Sequence, residues 1–236
     1  FNDQEINDHP NGGSGKSLVL TALSQFKKMV KIDGKVFDPN KGEFNYQRIS
    51  VDTQILAFDD VKKKFNFESL FSLITEGISV NRKNKDEIFI PFEKSPKIVI
   101  TTNYVINGAG SSHDRRRFEI EFFQYFNQHR TPLTEFGKLL FDQWSSEDWT
   151  HFDQYMIKCL QKFLSFGLIG TQSINANAKR FIQNTSKEFW DFATDENIQT
   201  DCKIYPSEII NEFKNENSDF KKTLSNKQFS SWIKQW

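Results

Sequence analysis

The 236 residues read as an α/β fold with a central parallel sheet, followed by a small helical domain. Three observations lead there. A glycine-rich run, Gly12 to Gly15, opens directly onto a stretch with helical apolar spacing from Leu18 to Val30. Two short runs rich in branched residues, Ile55 to Phe58 and Lys97 to Thr101, read as buried parallel strands with a helix-like crossover, Glu68 to Glu76, between them. From Ser186 onward the pattern changes to three short helices, Lys187 to Phe192, Pro206 to Lys214 and Lys227 to Gln235. The expected boundaries are a first domain over 1–169, a linker over 170–185 and a second domain over 186–236.

Composition narrows the partners. Lys and Arg number 31 and Asp and Glu 31, so the formal net charge is +0 and any contact with nucleic acid must be local. Cys159 and Cys202 stand far apart without CxxC spacing, which indicates neither a disulfide framework nor a zinc site and points to a reducing, cytoplasmic setting. No apolar run approaches the roughly 20 residues that span a bilayer, and the first residues do not resemble a secretion signal, so no membrane partner is expected. The 25 Phe are read as core fillers. Between Glu147 and Leu164, the residues Trp149, Phe152, Met156, Leu160, Phe163 and Leu164 form a helical stripe, read as the packing face of a lid.

The most specific chemistry lies in Pro10-Asn11-Gly12-Gly13-Ser14-Gly15-Lys16-Ser17. Glycines let backbone N–H groups turn inward around a phosphate, a helix N-terminus adds positive potential, Lys16 can reach the β and γ phosphates of ATP, and Ser17 can ligate Mg²⁺. The run departs from GxxxxGK followed by Ser or Thr because Pro10 takes the first glycine position. Few apolar residues precede it, so its feeding strand is expected upstream of Phe1. The apolar run Ile55-Leu56-Ala57-Phe58 ends in Asp59 and Asp60, which places Asp59 in a Mg²⁺ shell and Asp60 where it polarises an attacking water. Asp60 is one methylene shorter than the commoner Glu. A second strand, Lys97 to Thr102, ends in Asn103, a neutral side chain suited to the lytic water or the γ phosphate.

Two basic features follow. Arg115, Arg116 and Arg117 come after a flexible stretch, Gly108 to Ser112, and before the alternating run Phe118 to Phe123; one arginine, Arg116 before Arg117, is expected to reach a neighbouring chain's γ phosphate. Arg82, Lys83 and Lys85 sit between apolar runs as the tip of a β-hairpin, suited to gripping DNA phosphates without base specificity.

In this order the motifs resemble the superfamily 3 helicases of the AAA+ class, especially the helicase half of phage and mobile-element primase-helicases. The resemblance runs from Pro10 to about Leu168. It implies an AAA+-type P-loop NTPase acting as an ATP-driven ring, usually a hexamer, on single-stranded DNA in replication, beside a primase domain or protein. By motif, Lys16 and Ser17 look like Walker A, Asp59 and Asp60 like Walker B, Asn103 like sensor 1, and Arg116 or Arg117 like the arginine finger. The C-terminal piece is similar to the winged-helix domain that often follows such motors, yet from Ser186 it carries seven Lys against nine Asp and Glu, a formal −2. Competing readings are a helicase loader or packaging-type ATPase, a small-molecule kinase, and a non-catalytic DNA-binding module with a degenerate nucleotide site.

Overall fold

The computed structural model describes residues 1–3, 13–39, 42, 44–106, 108, 111–170, 176–196, 198 and 206–236. The described chain divides into two compact units, a mixed α/β unit up to residue 170 and a helical unit from residue 176. Among the described residues no helix is long and apolar enough to cross a membrane.

The first unit opens with a short strand, β1 (Asn2–Asp3), and after the glycine turn comes helix α1 (Lys16–Ser24). The helix ends well before Val30. Ser24 Oγ and Gln25 Nε2 donate to the Thr21 carbonyl at 2.7 and 3.2 Å, and such back-bonding by polar side chains disfavours further helix. Met29 and Val30, which continue the helical spacing in sequence, instead begin β2 (Met29–Asp33). Strand β3 (Ile55–Val61) pairs in parallel with β2, and the chain then runs through a 3₁₀ turn (Phe67–Leu70) and α2 (Phe71–Thr75). A hairpin follows, β4 (Gly77–Arg82) with β5 (Lys85–Pro91), before β6 (Lys97–Thr102) returns to pair in parallel with β3. Gly77 must be glycine: its φ is +126°, and a Cβ there would stand 2.5 Å from the Ile90 carbonyl oxygen.

After α3 (Ser111–Asp114), strand β7 (Glu121–Phe122) pairs in parallel with β1. Phe1 N donates to Ile100 O at 2.7 Å and Thr102 N donates to Phe1 O at 3.0 Å, a parallel pattern that sets β1 against β6. The strands therefore follow one another as β2-β3-β6-β1-β7. A strand ahead of the glycine turn lies at Asn2–Asp3, where none is expected from the sequence; two residues are too few to show a strand pattern in sequence.

The core follows from β3. Ile55, Leu56, Ala57 and Phe58 are all buried, as a strand covered on both faces requires. Phe58 meets Phe37 edge-on at 4.7 Å between centroids, and Ile49, Leu70, Ile78, Val80 and Ile90 are among the residues of the same cluster, so the hairpin's inner face belongs to it. Helix α4 (Pro132–Phe136) and helix α5 (Ser146–Phe166) close the unit. Ser145 caps α5 through a capping box with Asp148. The stripe read as a packing face on α5 does so only at its start, where Trp149 and Phe152 join Phe141 and Trp144. No residue of α5 is fully buried, and Leu160, Phe163 and Leu164 are 55%, 54% and 73% exposed.

The second unit holds α6 (Ala176–Asn184), α7 (Lys187–Asp195), α8 (Pro206–Glu216), α9 (Phe220–Thr223) and α10 (Asn226–Ile233), with no strand among its described residues. Part of the segment read as a linker is thus helical. Ser186 and Ser225 cap α7 and α10 by accepting from the amides of Phe189 and Gln228. Phe189, Phe213, Phe229 and Trp232 pack as its aromatic core.

Phe58→Ala is expected to destabilise the first unit by about 3–5 kcal/mol, because it empties a fully enclosed site. Phe163→Ala, on the open half of α5, should stay within about 0.5 kcal/mol. Denaturant unfolding of both variants against the parent checks the contrast, and equal effects would refute the assigned core.

Candidate functional site

The site begins with backbone shape. Gly13 and Gly15 have φ of +95° and +98°, left-handed values that turn the chain sharply into α1. Gly15 is the N-cap of α1 and no side chain caps the helix, so its first-turn N–H groups face outward with the positive end of the helix dipole. Gly13, Ser14, Gly15, Lys16 and Ser17 line a cavity of about 430 Å³. Pro10, Asn11 and Gly12 lie outside the described residues.

The carboxyl ends of β3 and β6 form the opposite wall, with Asp59, Asp60, Thr101 and Asn103 lining the same cavity. Crevices beyond the carboxyl ends of parallel strands are where open α/β sheets bind ligands. The β3–β6 register shifts between Phe58 and Val61, and Asp60 takes a φ of +57°. This bulge frees the Asp60 amide from the ladder, and the Thr101 hydroxyl accepts it at 2.7 Å. The same hydroxyl donates to Asp59 Oδ1 at 2.6 Å, and Ser17 Oγ donates to that oxygen at 3.3 Å. Phe126 and Pro132 border the cavity, the Phe126 ring lying beside Gly15.

Every charge here has an internal partner. Lys16 Nζ lies 2.5 Å from Asp3 Oδ1, Lys31 Nζ 2.6 Å from Asp59 Oδ2, and Lys35 Nζ 2.5 Å from Asp60 Oδ2. Burial works to raise the Asp59 carboxyl, but hydrogen bonds from Lys31, Thr101 and Ser17 together with the Lys31 charge outweigh it, and the group lies below its usual range. Lys35 is held above the usual lysine range by its bond to Asp60.

The structure thus gathers Gly13, Ser14, Gly15, Lys16, Ser17, Asp59, Asp60 and Asn103 around one cavity. It does not bring the arginines there. Arg116 lies over the Phe71 ring at 4.6 Å and donates to Ser112 O at 2.9 Å. Arg117 binds Glu119 at 2.9 Å and the Ile106 carbonyl at 3.2 Å, and both arginines line a separate cavity along β6. Arg115 is the exposed member of the three. At the hairpin tip Asn84 takes a φ of +57°, and Lys83 and Lys85 are exposed. Arg82 is not free: its Nη2 donates to the Ile49 carbonyl at 2.6 Å.

Asp3, Lys31, Lys35 and Thr101 were not singled out from the sequence. Lys31 had a usable signal, since a strand recognised at Met29–Asp33 would have set Lys31 opposite Ala57 and Asp33 opposite Asp59. Asp3 had none.

Residues 9–117 match a family model. Its description reads "Family of unknown function (DUF5906)". The matched segment takes in the glycine turn, β3, β6 and the arginines, and leaves out Asp3, Phe126 and the helical unit. Among curated proteins none matches the sequence.

The Asp59 network carries a pH signature. A carboxyl depressed in the folded state contributes stability that is complete above its unfolded pKa and is lost as pH falls through the lower folded value. Melting temperature of the parent should therefore fall more steeply below about pH 4 than that of Asp59→Asn. Parallel profiles would show that the Lys31–Asp59–Thr101 network adds nothing to the fold.

Proposed function

We propose that the first unit binds ATP with Mg²⁺ and hydrolyses it, and that a ring of such chains uses the turnover to move along single-stranded DNA. The observation that supports this is the gathering of Lys16, Ser17, Asp59, Asp60 and Asn103 at one cavity from three separate segments. The motif order resembles that of the superfamily 3 helicases, and the spatial convergence is independent of that order. Under this reading the fold is an AAA+-type P-loop NTPase and the glycine turn is its phosphate loop.

Each residue has a physical task. The amides at the start of α1 and the Lys16 ammonium hold the phosphates. Ser17 and Asp59, already within hydrogen-bond reach of each other, supply a hydroxyl and a carboxylate for Mg²⁺. Mg²⁺ at nucleotide sites is usually held by one or two carboxylates together with ligand phosphates, the set that Asp59 and a bound triphosphate would supply. Held there, the ion would supply neutralisation of charge on the transferred phosphoryl group. On this reading Asp60 and Asn103, which line the cavity, would orient the attacking water. Arg116 and Arg117, the expected fingers, are engaged within their own chain, so on this reading the exposed Arg115 is the arginine that could reach a neighbour without giving up a contact.

A second reading, a module that holds nucleotide without turning it over, is favoured by the internal pairing of Lys16, Asp59 and Asp60. ATP hydrolysis with and without single-stranded DNA separates the two. Lys16→Ala should abolish turnover, and Arg115→Ala should lower it by roughly 10³. Mixing these two chains under conditions where rings are seen should restore activity, since some interfaces then carry both intact halves. Hydrolysis by Lys16→Ala at the parental rate would end the reading.

On this reading the hairpin's cations divide by role. Lys83→Ala with Lys85→Ala is expected to weaken single-strand binding and to flatten its log-log salt dependence by roughly 0.7 for each DNA phosphate that is no longer neutralised. Arg82→Ala should lower thermal stability instead, because its guanidinium anchors the hairpin to the Ile49 carbonyl. An unchanged salt slope in the double lysine variant would remove the tip from the DNA path.

A further inference from the structure

Lys16 already has an anion. Its Nζ stands 2.5 Å from Asp3 Oδ1 and 3.1 Å from Ser14 Oγ, and Ser14 Oγ donates to the same Asp3 oxygen. The Lys16 and Asp3 side chains are 9% and 2% exposed, so this is a desolvated ion pair. Asp3 Oδ2 and the neighbouring Asn2 Oδ1 are buried with no hydrogen-bond partner among the described residues.

An acid in this position has a direct effect on any anion that enters. A buried carboxylate beside the glycine turn repels phosphate, and it occupies the ammonium and the hydroxyl that a phosphate would use. A ligand phosphate and Asp3 cannot both hold Lys16 in the same way. We propose that Asp3 is an internal stand-in for phosphate: it neutralises Lys16 and Ser14 in the empty site, and an incoming triphosphate takes both donors from it. This rests on the nucleotide reading of the cavity.

Two consequences follow. The site favours ligands with several adjacent negative charges, because a single phosphate offers less to offset the loss of the buried pair. The exchange also bears on the sheet. Stripped of Lys16, the Asp3 carboxylate would be buried and unpaired, which is strongly unfavourable, so the end of β1 must shift, admit water or take up a proton. Strand β1 lies between β6, which carries Thr101, and β7. Asp3 is thus a positioning residue that links occupancy of the glycine turn to the end of β1.

The test is binding of ATP and of inorganic tripolyphosphate, by calorimetry, to the full chain and to Asp3→Asn, Asp3→Glu and Lys16→Ala. Asp3→Asn should tighten both ligands roughly ten- to a hundredfold, the equivalent of one hydrogen bond to a charged group. Asp3→Glu should stay as weak as the parent, and adding Lys16→Ala to Asp3→Asn should erase the gain. Loss of the acid relieves repulsion of any anion, so the gain supports the exchange only where adding Lys16→Ala removes it. If the parent binds through Lys16 and Asp3→Asn binds no tighter, the exchange is overturned while the nucleotide reading stands. If Lys16→Ala binds as the parent does, or nothing binds, both fall. Should Asp3→Asn fail to fold, the structure of the unmodified chain with a non-hydrolysable ATP analogue decides. Lys16 Nζ on phosphate supports the exchange, and Lys16 still on Asp3 overturns it.

Discussion

A strand buried on both faces that must end in two carboxylates faces a conflict of solvation, and the Thr101 hydroxyl resolves it. Asp59 and Asp60 follow the buried run Ile55 to Phe58 directly, and a carboxylate left without partners beside it is very unfavourable. The bulge gives Asp60 a left-handed backbone, and both acids line the cavity. The freed Asp60 amide needs an acceptor and the Asp59 carboxylate needs a donor, and one side chain on β6 serves as both. Its position depends on the parallel pairing of Phe58 with Ile100 and on the later pairing of Val61 with Thr102. Register, bulge and carboxylate geometry are therefore one property of the β3–β6 pair, and Phe58, packed between Phe37 and Phe65, fixes it from the core side.

The same logic separates what was legible in the sequence from what was not. Ile55 to Phe58 could be read because a doubly covered strand needs an unbroken apolar run, Lys97 to Thr101 because branched residues follow one another there, and the hairpin because apolar residues flank a polar tip. Lys16, Ser17, Asp59, Asp60 and Asn103 could be read as a set because their residue types fall at strand or helix ends, where side chains point into a shared crevice. Residues defined by adjacency between strands were hidden. Lys31 and Lys35 matter through β2 lying beside β3, and β2 was obscured because Met29 and Val30 continue the helical spacing of α1. Asp3 lies on a strand of two residues, which leaves no period to detect.

Arg82 and the arginine cluster show a different limit. Three cations beside one another in sequence invite a shared role, yet the fold distributes them by what is within reach. Arg82 meets the carbonyl of Ile49, Arg116 meets an aromatic face, and Arg117 meets Glu119, while Lys83, Lys85 and Arg115 are left to solvent. Long cationic side chains pack their stems and satisfy their heads locally wherever a partner exists. Charge counted along the chain therefore overstates the charge available to a polyanion.

The three ion pairs around the cavity differ in how hard they are to open, and that sets an order for ligand entry. Lys35–Asp60 is exposed on both sides, and Lys31–Asp59 joins a half-exposed lysine to a carboxylate that still reaches solvent. Exposed pairs contribute roughly 0–1 kcal/mol, so a cation or a water displaces either lysine at small cost. Lys16–Asp3 is almost fully desolvated, and breaking it strands a buried charge unless a new partner arrives in the same step. On the proposed reading the metal side of the cavity is open at rest and the phosphate side is closed. Nucleotide affinity is then governed less by the residues that touch phosphate than by how readily β1 gives up Lys16, and Asp3 becomes the residue on which the glycine turn and the sheet act together.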